Sequence, residues 1–593
     1  MLLNEIDWII IILFFILSLV IGLYVAKQSG KSAADFFLSG RTMPWWLLGI
    51  SMVATTFSCD TPNLVTDIVR QNGVAGNWVW WAFLLTGMLT VFVYAKLWRR
   101  SKVMTDLEFY ELRYSGKIAA FLRGFRAIYL GAFFNIMVIA LVSLALIKIG
   151  AVMMQWSPAQ TMIVAAVITV TYSAFGGLRG IILTDFFQFI ISMIGAIGAA
   201  VILINMPEIG GLEKMIQHPA VVPKLNMFPD VNNYDALIGL LVLPLLIQWW
   251  SVWYPGSEPG GGGYIAQRML SAKNEKDAVK ASLLFNITHY ALRPWPWILV
   301  ALASLIIFPD LESIRQQFPN VDVHIIKNDF AYPAMLSFLP NGFLGLVVAA
   351  LIAAYMSTVS TQLNWGSSYI VNDFYNRFIN KDASQKQLVL IGRLSTVGLM
   401  ILAGILALLL QNALQAFEIL LQIGAGTGLI FILRWFWWRI NALTEITAMV
   451  VSFLVALYFA FIHPLTGLAE LSSAMKLIFG VGFTSLIWIL VALFSKPTDE
   501  EKLISFYKAI KPGGPGWKHI AGKINLENDS ENDYWDVPMA ILAMIIGSLG
   551  VYSVLFASGY WIYQNFSLAI VFSLLSVLFF YILSRIWTKL KMD

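Results

Sequence analysis

Long apolar segments recur from one end of the chain to the other, and this pattern predicts helices that cross a membrane. Each segment holds roughly 20 mostly apolar residues, the length at which a helix spans the hydrocarbon of a bilayer. The alternation of apolar and polar positions that a lipid-facing β-barrel requires is absent from the sequence. We therefore predict an all-α, polytopic membrane protein of about fifteen spans, over residues 7–27, 45–70, 76–98, 118–153, 157–174, 179–205, 234–254, 278–308, 333–376, 387–411, 414–438, 442–463, 474–495, 538–557 and 562–587.

Two of these spans contain residues that do not fit a continuous helix in lipid. Polar residues around Asp60 and Pro62 fall in the middle of span 45–70. Span 234–254 runs into Pro255 and then four consecutive glycines, 260–263. Breaks of this kind are tolerated where the freed backbone groups line a cavity. The second break also fits a kinked span followed by a flexible loop.

The two breaks lie five spans apart, so the two sets of five spans that they open have opposite orientations in the membrane. Broken helices at corresponding positions of two inverted halves indicate the central site of a secondary transporter. We predict a 5+5 inverted-repeat core with peripheral helices. The regions are an N-terminal peripheral helix in 1–44, a ten-helix core in 45–440 (45–205 and 234–440), two peripheral helices in 441–496, a cytoplasmic linker in 497–535 and two C-terminal helices in 536–593.

Composition and charge agree with a membrane protein. The chain is 59% apolar and 12% charged, far from the usual mix of a soluble domain. Its net charge of +5 requires no nucleic-acid partner, and a single cysteine excludes a disulfide framework. Basic residues cluster after the odd-numbered spans, which places the N-terminus outside and the C-terminus in the cytoplasm of a cell-membrane protein; they include Lys27, Lys31, Arg41, Arg99, Arg100, Lys102, Arg179, Arg268, Lys273 and Lys276.

A run of hydroxyl side chains inside span 333–376 is a candidate ion site. Ser357, Ser360 and Thr361 share one face of the predicted helix, and Thr358 adjoins it. Sodium is a hard cation that prefers several oxygen ligands. The same hydroxyls could equally form hydrogen bonds between helices.

Four separated motifs resemble the sodium:solute symporter family. They are Asp35-Phe-Phe-Leu-Ser-Gly-Arg-Thr-Met-Pro-Trp-Trp46, Tyr172-Ser-Ala-Phe-Gly-Gly-Leu-Arg179 with Thr184-Asp-Phe-Phe-Gln188, Tyr264-Ile-Ala-Gln-Arg-Met-Leu-Ser-Ala-Lys273, and Met356-Ser-Thr358. Their order and spacing resemble the family over residues 20–440. That family includes sodium-coupled carriers of sugars, proline and sialic acid, and it has the leucine-transporter fold.

The resemblance implies one sodium site, or two. The principal site would use the backbone carbonyls of Ala54, Phe57 and Ala354 with the hydroxyls of Ser357 and Thr358. The second site would use Asp185, Ser360 and Thr361, with Ser357 shared. Asp185 in an apolar span also fits a residue that faces a cavity and a cation. Alternatively, it is an interfacial acid near Arg179.

The resemblance places the substrate contacts on several helices, and alternatives stay open for some of them. Arg293 could clamp a substrate carboxylate or pair with an acid of the bundle. Asp60 could be that acid, or it could hold a hydroxyl or amine of the substrate. The aromatic candidates could stack on a sugar ring, act as a gate, or serve only in packing. The substrate-binding candidates are Thr56, Ser58, Asp60, Thr61, Trp80, Trp253, Tyr254, His289, Arg293 and Glu418.

These residues predict a sodium-coupled symporter that imports a small polar solute, with a sugar or sugar derivative favoured, by alternating access. Its expected partners are the solute, sodium ions and the lipid bilayer, without nucleic acid. Alternatives are a carrier of an amino acid or carboxylate, a proton-coupled carrier that uses the acids and His289 of the spans, and a sensor or channel on a transporter scaffold. We do not expect an enzyme, because the sequence lacks a nucleophile–base pair, a metal cluster and a phosphate loop.

Overall fold

The computed structural model describes residues 3–251, 258–319, 321, 326–409, 425–469, 471–524 and 535–590. Within these ranges the regular structure is helical, and the only β-type pairing is a single bridge between Met43 and Ala272. The prediction of an all-α chain is confirmed.

The described helices of the first predicted half, together with the N-terminal helix before it, are mostly short. They are α1 (Glu5–Ser29), α2 (Ala33–Leu38), α3 (Trp45–Thr56), α4 (Thr61–Asn72), α5 (Trp78–Trp81), α6 (Leu84–Leu89), α7 (Ala95–Ser101), α8 (Glu108–Arg113), α9 (Gly116–Ile128), α10 (Asn135–Ile149), α11 (Pro158–Ile204) and α12 (Leu212–Gln217).

The remaining described helices complete the core and the C-terminal region. They are α13 (Tyr234–Leu237), α14 (Leu243–Leu246), α15 (Gly263–Ser271), α16 (Glu275–Ile287), α17 (Trp295–Ile307), α18 (Leu311–Gln317), α19 (Ala331–Leu336), α20 (Phe343–Ser368), α21 (Gln385–Leu409), α22 (Gly428–Leu433), α23 (Ala442–Leu457), α24 (Ser473–Phe494), α25 (Glu500–Ile510), α26 (Lys518–Ala521), α27 (Val537–Ile562) and α28 (Phe566–Trp587).

π-helical segments join some helices to the next one in line and form the last turns of others. They cover Thr90–Tyr94, Tyr129–Phe134, Gly150–Met154, Ile238–Val242, Thr288–Leu292, Tyr369–Ile379 and Tyr458–Ile462. Segments of this kind widen the turn and often occur at functional sites. One of them carries His289 and directly precedes Arg293.

Eleven helices of the described chain are long and apolar enough to cross a membrane. The longest, Pro158–Ile204, contains two of the predicted spans. Trp45–Thr56 and Tyr234–Trp250 are shorter apolar helices, and residues 414–424 of predicted span 414–438 lie outside the described residues. The membrane class is confirmed, whereas the number fifteen stays a prediction.

The predicted interruption of span 45–70 is confirmed. Helix α3 ends at Thr56, residues 57–60 are not helical, and α4 begins at Thr61 with Pro62 in its first turn. Proline fits there because the first amides of a helix have no partner inside the helix. In the second predicted break, a 3₁₀ turn at Gln248–Trp250 is separated from α15, which begins at Gly263.

Helix α20 lies at the centre of the bundle. Nearly all of its side chains are buried, and it packs against α1, α3, α10, α11 and α21. The buried carboxylate of Asp7 accepts hydrogen bonds of 2.7 Å from the amides of Gly342 and Gly345 at the start of α20. An acid at this position satisfies amides that the helix itself leaves free.

The C-terminal region packs on the core rather than standing apart from it. The described part of the predicted linker 497–535 forms α25 and α26, and the Trp517 indole between them donates a hydrogen bond of 2.9 Å to the Trp435 carbonyl. A buried ion pair joins Lys96 of α7 to Asp536, the residue before α27. The Tyr552 hydroxyl of α27 donates 2.9 Å to the Trp81 carbonyl in α5. The domain boundaries themselves stay a prediction.

A change of direction inside α11 depends on Gly177. Its backbone has φ +55° and ψ −163°, a combination that only glycine adopts without strain. Gly177→Ala should therefore destabilise the protein by about 1–3 kcal/mol. Thermal unfolding in detergent measures the change, with Gly398→Ala of α21 as the matched control, because a methyl group at Gly398 meets no atom within 4 Å. Equal melting temperatures for the two variants would contradict this role.

Candidate functional site

The broken end of α3 lies against the middle of α20. The Thr358 hydroxyl of α20 donates 2.9 Å to the Thr55 carbonyl and 3.1 Å to the Ala354 carbonyl. At the break, the Phe57 amide donates to the carbonyls of Val53 and Ala54, each at 3.0 Å.

All five residues predicted for the principal sodium site are buried. Three backbone carbonyls and two hydroxyls from α3, the residue that follows it and α20 are the predicted ligands: Ala54, Phe57, Ala354, Ser357 and Thr358. Neutral oxygens suit a cation that must bind and leave again. Whether these five atoms ligate sodium stays a prediction.

The Asp185 carboxylate lies at the centre of a second buried cluster. Ser51 of α3 donates 2.5 Å to Oδ2, and Ser357 of α20 donates 2.7 Å to Oδ1. The Arg268 guanidinium lies 3.7 Å from Oδ2. Asp185 has no exposed surface, so the alternative of an interfacial acid near Arg179 does not hold. The carboxylate instead joins α3, α11, α15 and α20.

Arg268 is a buried cation inside the bundle, whereas the sequence analysis counted it among the basic residues of a cytoplasmic loop. That assignment is wrong, because its side chain has no exposed surface. Its guanidinium donates 2.7 Å to the Thr361 hydroxyl and 3.2 Å to the Ser51 hydroxyl. Thr361 also lies 3.0 Å from the Thr55 hydroxyl. A rule that counts the basic residues near span ends cannot distinguish a buried arginine from exposed basic residues nearby. The motif that contains Arg268, Tyr264 to Lys273, was nevertheless among those that resemble the family.

The second predicted sodium site therefore contains a cation supplied by the chain. Three of its four residues, Asp185, Ser357 and Thr361, meet around Arg268. Ser360 does not join them in the described structure, since its hydroxyl donates 3.1 Å to the Ser357 carbonyl of its own helix. Sequence reasoning missed Ser51 and Thr55, which lie in an otherwise apolar stretch of α3.

Three of the predicted substrate residues meet one turn from the ion-site carbonyls. The Thr56 hydroxyl donates 2.8 Å to the Val53 carbonyl. Its oxygen accepts 3.0 Å from the Arg293 guanidinium and lies 3.0 Å from His289 Nδ1. Thr56 and His289 are partly exposed, whereas Arg293 is buried. These three residues and the aromatic residues around them are called the pocket below.

Aromatic rings form the walls of the pocket. Trp80 lies edge-on to His289, with ring centres 5.9 Å apart, and stacks on Tyr290. The Arg293 guanidinium carbon lies 5.1 Å from the centre of the Trp297 ring and 5.8 Å from that of Phe57. Trp80 is partly exposed.

The other polar candidates around the break do not all face this pocket. Asp60 is exposed and forms no ion pair with Arg293 in the described structure, so the hypothesis that it partners Arg293 is wrong. Thr61 is partly exposed, and the buried Ser58 hydroxyl has no hydrogen-bond partner among the described residues. Cys59 is fully buried and lies 3.6 Å from the Val142 carbonyl, away from the pocket. Trp253, Tyr254 and Glu418 lie outside the described residues.

The sequence matches one protein family and is similar to several known proteins. The family model of the sodium:solute symporter family matches residues 36–452. The sodium/glucose cotransporter of Vibrio parahaemolyticus is 27% identical over 477 residues, which cover 77% of this chain and 86% of that protein. Sodium/glucose cotransporter 1 of Oryctolagus cuniculus is 25% identical over 551 residues, which cover 84% of this chain and 80% of the relative.

A solved structure shows the same fold. It is a substrate-bound, outward-open state of a Na⁺-coupled sialic acid symporter, with a TM-score of 0.66 and 20% identity. The match covers 84% of this chain and 99% of that chain. The predicted inverted-repeat transporter fold is confirmed by this likeness.

The Asp185–Arg268 pair should contribute strongly to stability. Asp185→Asn or Arg268→Gln alone leaves one charge buried without a counter-charge, which typically costs about 3–5 kcal/mol, whereas the double variant removes both charges and should cost less than the sum. Thermal unfolding of the four proteins in detergent measures this coupling. The exposed pair Glu312–Arg315 serves as the control and should show almost none. Additive effects at Asp185 and Arg268 would contradict the pairing.

Proposed function

The chain belongs to the sodium:solute symporter family, and on that premise we propose that it imports a small polar solute of the sugar type together with sodium, by alternating access. Sodium is the coupling ion of this family. The observation that carries the proposal is the contact between the broken end of α3 and the middle of α20, where buried carbonyls and hydroxyls meet one turn from the pocket.

We propose that Ala54, Phe57, Ala354, Ser357 and Thr358 bind the transported sodium ion. Their oxygens come from two helices that belong to different halves of the inverted repeat. A cation held between them would tie α3 to α20 and favour the conformation in which the two helices are close. Sodium thereby shifts the population toward one state of the transport cycle, because it binds the two states with different affinity.

The proposed sodium site and the pocket share the backbone segment 54–57. Ala54 and Phe57 flank Thr56, whose hydroxyl already contacts Arg293 and His289 in the pocket. Ordering this segment around sodium also positions Thr56 for the solute, and the reverse holds equally. Coupling between two ligands is reciprocal, so each should raise the affinity for the other.

The cluster around Asp185 favours a stoichiometry of one sodium ion per transport cycle. Arg268 already supplies a positive charge to Asp185 and donates to Thr361, both of which the second sodium site would need. A sodium ion there would have to displace a buried guanidinium from its counter-charge. We therefore propose that only the principal site binds sodium.

The membrane-embedded, multi-pass character of the protein agrees with its eleven candidate spans. The finer assignment remains a proposal, with the N-terminus outside, the C-terminus in the cytoplasm and the cell membrane as location. It rests on the basic residues after the odd-numbered spans, from which buried Arg268 is now removed. Members of this family are carriers, and we propose no catalytic role.

Removal of the two hydroxyl ligands should weaken sodium binding. Ser357→Ala with Thr358→Val deletes two of the five proposed oxygens, so half-maximal uptake should require at least about tenfold more sodium, or about 1.4 kcal/mol of lost binding. Ser367→Ala with Ser368→Ala is the matched control, since both hydroxyls lie on α20 and donate only to carbonyls of their own helix. Uptake into proteoliposomes as a function of sodium concentration measures the effect. Unchanged sodium dependence in the Ser357/Thr358 variant would defeat the site assignment.

The sodium stoichiometry should be one. We expect a Hill coefficient for sodium close to one, because Arg268 occupies the position of a second ion. The ratio of sodium to solute taken up, measured with both isotopes in the same vesicles, provides an independent check. A Hill coefficient near two with two sodium ions per solute would contradict the role given to Arg268.

A further inference from the structure

Arg293 has fewer hydrogen-bond acceptors than two other buried arginines, Arg70 and Arg113. Arg70, which also lacks a carboxylate partner, donates to the Ser304 carbonyl and hydroxyl, the Phe308 carbonyl and the Asn328 side chain. Arg113 donates to the carbonyls of Arg434 and Trp437.

Arg293, by contrast, donates only to the Thr56 hydroxyl. Its side chain is 2% exposed, and its Nε–H has no hydrogen-bond partner in the described structure.

No carboxylate of the described residues lies within 4.0 Å of the Arg293 guanidinium. A guanidinium taken out of water without a counter-charge is costly, and its neighbours offset only part of that cost. The rings of Phe57 and Trp297 each contribute about 0.5–2 kcal/mol as cation–π contacts. Arg126, Arg123 and Arg434 of this chain are each paired with an acid. The pocket therefore contains a cation that has no counter-charge among the described residues.

The Thr56 hydroxyl cannot satisfy this cation further. It has one proton, which its 2.8 Å contact with the Val53 carbonyl uses. Its oxygen accepts from Arg293, and it also accepts across the 3.0 Å contact with His289 Nδ1 in the tautomer whose proton lies on Nδ1. We take this tautomer of neutral His289, which leaves Nε2 as an acceptor. The pocket thus offers a cation for an anionic group and, at His289, an acceptor for a hydroxyl.

We propose that the transported solute is a sugar acid, with its carboxylate bound by Arg293 and one hydroxyl donating to His289 Nε2. The inference rests on the proposed sodium-coupled function and narrows its substrate class from sugars in general to polyhydroxy carboxylates. A carboxylate satisfies the free guanidinium donors in the geometry that arginine favours. The partly exposed Trp80 ring offers a face for the sugar ring beside it.

The experiment compares each sugar acid with its neutral counterpart on the wild-type protein. The probes are D-glucuronate against D-glucose, D-galacturonate against D-galactose, and N-acetylneuraminate against its methyl ester. Thermal stabilisation in sodium chloride and in choline chloride reports binding and its sodium dependence. We expect stabilisation by at least one acid in sodium chloride, with its neutral counterpart binding at least about tenfold more weakly.

Arg293→Gln identifies the residue responsible for that preference. It should abolish the preference for the acid while sodium alone still stabilises the protein. Arg293→Lys, which keeps the charge, should restore part of the preference. Arg70→Gln is the matched control, because it removes another buried arginine with neutral acceptors and should leave the ratio of acid to neutral affinity unchanged. An unchanged ratio in Arg293→Gln would overturn the assignment.

The failures of the inference and of the proposed function are distinguishable. Sodium-dependent binding of the neutral sugars alone would overturn the inference and leave the symporter function standing. Absence of sodium dependence for every probe would overturn the proposed function and the inference with it.

Discussion

The unwound backbone at residues 57–60 is the constraint on which the site depends. A helix buried in a membrane keeps its carbonyls within its own hydrogen bonds, and an ion can use them only where the helix ends. Here α3 stops at Thr56 and α4 begins at Thr61, so backbone oxygens become available next to the hydroxyls of α20. The same ending directs Thr56 toward Arg293 and His289. In the proposed mechanism, one local break would therefore serve both sodium and the solute.

The two buried arginines Arg268 and Arg293 differ in whether they have a counter-charge. Asp185 and Arg268 neutralise each other and are satisfied by Ser51, Ser357 and Thr361. A closed network of this kind ties four helices together without attracting a further ion. Arg293 is the opposite case, since its counter-charge is missing from the described residues. Because an isolated charge is costly in such a medium, we propose that Arg268 is structural and that Arg293 binds the solute.

Much of the fold could be predicted because hydrocarbon imposes strict length and polarity limits on each span. The break at Asp60 and Pro62, the hydroxyls of α20 and the substrate candidates Thr56 and Arg293 violated those limits and were visible for that reason. His289 was named only through the resemblance to the family. Arg268 was misplaced because a basic residue near a span end looks the same whether it faces the cytoplasm or the bundle. The partnership of Ser51 with Asp185 links residues 134 positions apart in the chain, which no local pattern reveals. Packing of 497–524 on the core escaped prediction for the same reason.

The most direct test of the account is solute uptake by proteoliposomes in which the ion gradients are exchanged. One set of vesicles has an inward sodium gradient with equal pH on both sides, and the other has an inward proton gradient without sodium. The account predicts concentrative uptake in the first set and only equilibration in the second, because the site between α3 and α20 consists of neutral oxygens and Asp185 is held by Arg268. Concentrative uptake driven by protons alone, with no response to sodium, would contradict it.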